Sequence, residues 1–186
     1  MHAANNTKKF NLFYFTFLII LITTFPVIIQ AQDDIPYEDS IASIKRFNFV
    51  VTTLGVLSFG IDQDKLDKIY NLQFAMPRQL RILVTQSKMK KELFRDFTFL
   101  VNQKDVEAIL IWPSEEMEDK NIIKKICTMS KKKKIPIFVM QEGWTEQGAM
   151  VEFKSSGTTT VIVNEQVRSY MNFPIAENDY YSLVQK

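Results

Sequence analysis

The chain has 186 residues, with 23 Lys and Arg against 21 Asp and Glu, and is 46% hydrophobic. That length suits one domain plus a targeting segment, and the apolar content calls for a packed core rather than disorder. A single Cys excludes an internal disulfide framework and a Cys-based zinc site, and a single His, His2, leaves a Ser-His pair or a His-ligated metal close to excluded.

The first 31 residues read as an address. Lys8-Lys9 is a short positive region, and the uncharged stretch from Phe10 to Ile29 is dense in Phe, Leu and Ile. Ile29-Gln30-Ala31 then offers a small residue before the polar Gln32-Asp33-Asp34, the order of a secretory signal peptide. An uncleaved anchor is the other reading, because about 20 apolar residues can span a bilayer. Either way residues 32–186 are expected outside the cytoplasm, in the periplasm. Removing Lys8 and Lys9 leaves 21 bases against 21 acids. A neutral chain exerts no general pull on nucleic acid, so none is expected as a partner.

The exported part is predicted to open with a helix over residues 38–59, where Ile41, Ile44, Phe47, Val51 and Leu54 recur at spacings of three and four and Gly60 closes the element. A second helix over 62–72 is capped by Asp62 and turns Leu66, Ile69 and Tyr70 inward. A regular alternation comes next: strand 80–84, helix 87–100 with Met89, Leu93, Phe94, Phe97 and Leu100 on one side, strand 106–112, helix 117–133 carrying Ile122, Ile123, Ile126 and Met129, and strand 135–140. Such alternation implies βαβ units and a parallel sheet covered on both faces. Residues 149–153 and 158–163 read as a hairpin joined through Lys154-Ser155-Ser156-Gly157. Asn164 caps a last helix, 165–172, with Val167, Tyr170 and Met171 inward. The expected fold is a single three-layer α/β domain, residues 32–186, with a mostly parallel sheet and a C-terminal β-hairpin plus short helix.

Few residues point to chemistry. Lys131 to Lys134 fall at a predicted helix end, where cations offset the macrodipole. Glu115, Glu116, Glu118 and Asp119 open a helix, where the same dipole favours acids, and Cys127 reads as a buried small hydrophobe. No phosphate loop is present, since the five glycines never take a GxGxxG or P-loop spacing, and no cofactor or metal is expected. Trp112 and Trp144 fall at or just past the ends of predicted parallel strands, the edge where open α/β sheets bind ligands. Trp112, Glu115, Glu142 and Trp144 are therefore the candidate binding residues, on one shared rim. For Trp112, a place capping the core is an equal alternative.

The segments Asp105–Ile111, Ile137–Val139, Glu142–Phe153 and Val161–Val167 together resemble the YfiR-like family of bacterial periplasmic proteins. Gly148-Ala149-Met150-Val151-Glu152-Phe153 fits that family's Gly-rich turn and following strand, with Ala149 in place of one of the usual two glycines. The likeness covers roughly residues 78–186. The cysteine pairs of some members are absent, and in place of the family's aromatic opening helix ending in Trp-Pro stand residues 38–59, with a diverged version of that helix left open. The resemblance implies a non-enzymatic regulator that restrains a membrane sensor or signalling enzyme by contact with its periplasmic domain; homodimerisation is left open. The same stretch is similar to part of the periplasmic substrate-binding proteins of ABC transporters, which implies a small-molecule binding protein as the alternative. Those proteins normally have two lobes and about twice this length.

Overall fold

Among the described residues seven strands join in one sheet, and the chain order of the elements is β1 (Thr53–Phe59), α1 (Gln63–Ala75), β2 (Arg81–Ser87), α2 (Lys90–Gln103), β3 (Ala108–Ile111), a 3₁₀ turn (Glu115–Glu118), α3 (Lys120–Lys133), β4 (Ile137–Val139), α4 (Trp144–Gln147), β5 (Val151–Ser155), β6 (Thr159–Val163), α5 (Glu165–Met171) and β7 (Ser182–Gln185). The computed structural model describes residues 40–44, 51–75, 80–155, 159–175 and 182–185. All of these belong to one compact unit, Asp34–Lys186. The expected signal segment lies outside the described residues. Among the described residues no helix is long and apolar enough to cross a membrane.

The strand order is β2-β1-β3-β4-β5-β6-β7. β1 to β5 run parallel, β6 pairs antiparallel with β5, and β7 runs parallel to β6. The mostly parallel three-layer α/β architecture and its hairpin are therefore as the sequence pattern implied.

Two cores flank the sheet. On one face Leu54, Val56, Ile82, Leu110, Phe138, Val151, Phe153 and Val161 pack with Ile41, Ile44, Ile69 and Val167 from helical segments. On the other, Leu57, Ile109, Ile111, Ile137 and Val139 meet Leu93, Phe97 and Leu100 of α2 and Ile122, Ile123 and Ile126 of α3. The three- and four-residue spacing of those helical side chains forms one apolar stripe per helix, and burying it is what holds helix to sheet.

One predicted element is corrected. Residues 40–44 are helical, but the second half of the expected 38–59 helix is strand β1. Val51, Thr52, Thr53 and Val56 are β-branched and stiff at χ1, which favours the extended chain. β1 is also buried on both faces, so it lacks the alternation that marks a strand. Gly55 serves the packing of this strand: a Cβ there would lie 3.2 Å from Leu100 Cδ1 and 3.3 Å from Val106 Cγ1. Met89 and Tyr170, expected inward, are exposed. Met89 precedes α2 rather than joining it, and Tyr170 stands on the outer side of a two-turn helix that buries Val167. The 3₁₀ turn, α4 and β7 had no counterpart in the predicted elements.

Two expected caps are present: Asp62 Oδ1 accepts from Lys65 N at 2.8 Å and Asn164 Oδ1 from Val167 N at 3.0 Å. Asp119, expected inside a helix starting at 117, is itself a cap, its Oδ1 accepting from Asn121 N at 2.9 Å. Lys131, Lys132 and Lys133 occupy the last turn of α3, and Lys134 closes it in the left-handed region at φ 54°.

Candidate functional site

The chain leaves β1 toward β2 on one side and returns to β3 on the other, so the topological switch point lies between β1 and β3. In open α/β sheets, ligands bind outside the carboxyl ends of the strands at such a point. The register aligns Thr85, Leu57, Ile111, Val139 and Glu152 in one row across the five parallel strands. Three short segments just beyond that row form a crest: Gly60-Ile61 after β1, Trp112-Pro113-Ser114 after β3, and Gln141-Glu142-Gly143 after β4.

Ser114 is the polar centre of this crest. Gln141 clamps its main chain, accepting from Ser114 N at 3.3 Å through Oε1 and donating to Ser114 O at 2.9 Å through Nε2. Ser114 holds the cap position of the 3₁₀ turn, yet its hydroxyl caps no N–H. Its Oγ is buried without a hydrogen-bond partner. A buried hydroxyl left unpaired costs free energy, so a ligand oxygen or nitrogen that reaches it gains that cost back. Gly60, at φ 70°, has nothing near its Cα that a Cβ would touch, so the β1 side of the crest is open.

Beside it, at the ends of β4 and β5, lies a charged cluster. Glu152 is the one charged member of the aligned row, and its side chain is 2% exposed. Thr145 N and Oγ1 donate to its Oε2 at 3.3 and 3.1 Å. Lys154 Nζ stands 3.7 Å from Glu152 Oε1 and 3.0 Å from Glu142 Oε1. The Glu142 carboxylate beside it holds the Lys154 ammonium above its ordinary range. Asn164 Nδ2 donates to Thr145 O at 2.8 Å, tying the cluster to the start of α5. A buried acid, bonded by two donors and a cation, fixes α4 against β5.

The four candidate residues do not share one rim. Trp112 is 6% exposed and lies in the core on the α1 face, in step with Ala108 and Leu110. Trp144 is fully buried in the opposite core, and its Nε1 has no hydrogen-bond partner. A left-handed Gly143, φ 85°, swings the chain so that the indole turns under α4 instead of outward. The expectation of two aromatic anchors on a partner-facing surface is thereby corrected. Glu115 is exposed beside Ser114, and Glu142 is exposed and paired with Lys154. Among the described residues no three His, Cys, Asp or Glu come together as a metal site. Ser114, Gln141 and Thr145 lie in the segments 112–115 and 141–146 expected on the rim but were not singled out there, and Glu152 and Lys154 were missed. The available signal was an acid between Val151 and Phe153, in a strand that a parallel sheet buries on both faces.

A separate open groove of about 590 Å³ runs along the outer edge of β2, lined by Thr85, Gln86, Arg95, Asp96, Thr98, Phe99 and Gln103. It is distant in the strand order from the β3–β4 crest. Such an edge groove lacks the convergent buried polar groups found at the crest.

No family model matches the chain. No curated protein matches it either. Solved structures do. A ligand-free, open substrate-binding protein with adhesive properties from Clostridium difficile aligns at TM-score 0.61 and 15% identity, over 82% of this chain and 60% of its own. An ABC domain in complex with L-Trp from Streptococcus pneumonia aligns at 0.65 and 14%, over 80% and 62%. A conserved domain protein from Vibrio cholerae O1 aligns at 0.65 and 12%, over 81% and 60%. The chain thus spans about three fifths of the length of each of these proteins. At such identities the likeness is one of fold alone: the α/β sheet and helices described above are shared with these structures.

Proposed function

We propose that this chain is an exported, non-enzymatic binding protein that takes a small polar molecule at the strand-end crest. The observation that carries the reading is the unpartnered, buried Ser114 hydroxyl at the end of β3, beside the topological switch point. The fold neighbours support it, since two of the three are described as a substrate-binding protein and an ABC domain holding L-Trp. Amino acids are accordingly the first ligand class to try. Their carboxylate or ammonium suits a hydroxyl set between Gln141 and a neighbouring Glu142–Lys154 pair.

The test is thermal unfolding of the chain with L-Trp, then with each other amino acid and a set of simple sugars. A ligand present at a hundredfold its Kd stabilises by about 2.7 kcal/mol, which is a shift of several degrees. Ser114→Ala is expected to abolish most of that shift while leaving the ligand-free midpoint unchanged or raised. A full shift retained in Ser114→Ala refutes the crest as the site. The YfiR-like regulator reading rests on the resemblance over roughly residues 78–186; silence of every small molecule, with stabilisation by the periplasmic domain of a membrane signalling protein, would favour it instead.

A further inference from the structure

The near-neutral balance of the chain hides a segregation of charge. α3 carries six lysines and no acid, and Lys134 closes it. Its buried side is Ile122, Ile123, Ile126, Cys127 and Ser130. Lys120, Lys124, Lys125, Lys131 and Lys132 fall on the other side and are exposed. Helix electrostatics accounts for only part of this. Cations in the last turn offset the macrodipole, but Lys120 stands at the first position of the helix, where the dipole opposes it. Lys120 and Lys124 are also like charges four residues apart, a pair that weakens a helix. Among the described residues no carboxylate forms an ion pair with any lysine of α3. α2 continues the face. Lys90 Nζ stands 2.7 Å from Asp119 Oδ2 at the start of α3, and Lys133 Nζ donates to Asn102 Oδ1 at 2.9 Å near its end, so the two helices lie side by side in one direction. The outer stripe of α2 is Lys91, Arg95, Thr98 and Asn102, all exposed and none acidic. The acids of α2, Glu92 and Asp96, are 18% and 14% exposed and both pair with Arg95. Met89, 48% exposed, sits among Lys88, Lys90 and Lys91 where the face begins.

We infer that the outer face of α2 and α3 docks on a bilayer surface carrying anionic phospholipid headgroups. The face is two parallel helices wide and about 20 Å long, the rise of 14 residues of helix. Every cation of α3 is a lysine. An ammonium is a point charge without the planar fork that reads one carboxylate or phosphate bidentately, so an array of them answers the summed field of many headgroups rather than one directed partner. Met89 adds a single apolar side chain for the headgroup level, set among the lysines that would bring it there. The choice of a bilayer over nucleic acid rests on the export proposed above, which puts lipid headgroups within reach of the folded chain. α1 packs on the opposite core and faces away from such a surface.

Lysine footprinting of the purified full chain tests this. The chain is acetylated in buffer, with vesicles of phosphatidylcholine alone, and with vesicles of equal parts phosphatidylcholine and phosphatidylglycerol, and each lysine is read by mass spectrometry. Lys120, Lys124, Lys131 and Lys132 are expected to be protected several-fold by the anionic vesicles only. Lys65 and Lys68, exposed on α1 across the sheet, should react equally in all three. The comparison between vesicle types cancels any binding of the apolar stretch Phe10 to Ile29, which does not depend on lipid charge. Raising the ionic strength from about 0.1 M to about 1 M cuts the screening length from about 10 Å to about 3 Å and should remove the protection. Lys124→Glu with Lys131→Glu should weaken the charge-dependent binding by at least about fivefold for each lysine removed. Lys65→Glu with Lys68→Glu should leave it unchanged. Equal acetylation of the two sets of lysines on anionic vesicles overturns the inference, as does full binding by the folded Lys124→Glu, Lys131→Glu variant. So does protection by duplex DNA or polyglutamate at a charge concentration where the anionic vesicles give none, since the face would then belong to nucleic acid or to an acidic protein.

Discussion

Replacing Trp144 by Phe should cost far less than replacing it by Ala, because the indole carries a buried N–H with no partner. Trp144 is fully enclosed among Met117, Ile122, Ile126 and Ala149 in its core cluster. Truncation to Ala leaves a large cavity that the surrounding sheet and helices cannot fill, a loss of about 3–5 kcal/mol. Phe keeps a ring in the same place but is smaller by roughly 40 Å³, which at about 24 cal/mol per Å³ costs about 1 kcal/mol. Against this, the substitution removes an unpaired buried donor, whose desolvation costs about 1–3 kcal/mol. The two terms offset, and Trp144→Phe should lie within about 1 kcal/mol of the native chain. Equilibrium urea unfolding of the three proteins, read at constant slope, measures this directly. A Phe variant as unstable as the Ala variant would refute the reasoning, since it would mean that the indole N–H is making a bond worth keeping.

Two further outcomes concern buried groups. Burial pushes the Cys127 thiol up to about 12 from an ordinary 9.0, so iodoacetamide at pH 8 should leave the folded chain unlabelled and modify one thiol in urea. Because the folded pKa is the higher one, the thiol's contribution is intact below pH 9. It is lost as pH rises toward 12, at up to roughly 1.4 kcal/mol per pH unit, which a pH series of urea midpoints would detect. Lys154→Met strips the enclosed Glu152 of its cation and should destabilise by about 1–3 kcal/mol. Glu142→Gln, at a side chain 74% exposed, should cost under about 1 kcal/mol. Equal losses in the two would show that Thr145 alone sustains the buried carboxylate.

The helices were legible because their apolar residues repeat at three and four, as in Leu93, Phe97 and Leu100 or Ile122, Ile123 and Ile126. β1 was not, since a strand enclosed on both faces shows a continuous apolar run, and Val51 and Leu54 fall at helical spacing within it by coincidence. The carboxyl ends of β3 and β4 fell within one residue of their expected places, but position along a strand does not tell which face a side chain takes. For Trp112 that was available: it keeps step with Ala108 and Leu110, both in the core. For Trp144 it was not, because the left-handed turn at Gly143 resets the direction of the chain. The crest itself depends on Gln141 reaching Ser114 from a neighbouring strand, a contact between residues far apart in sequence that no local pattern encodes.

The reversal of direction between β5 and β6 gives the two sides of the sheet different folding histories. That antiparallel pair closes across three intervening residues, an event of about 1–10 μs. The parallel pairs of β1 with β2 and with β3 must wait until intervening helices have brought distant segments together, and loop closure makes such pairings slow. β1 therefore acquires its second neighbour late, and once flanked on both sides its amides should exchange with solvent only through global opening. The crest stands on the ends of β1, β3 and β4, so a chain that has closed its hairpin but not yet seated β1 would lack the site proposed above. Binding competence in this molecule would then arrive with the last step of folding and be the first property lost on unfolding.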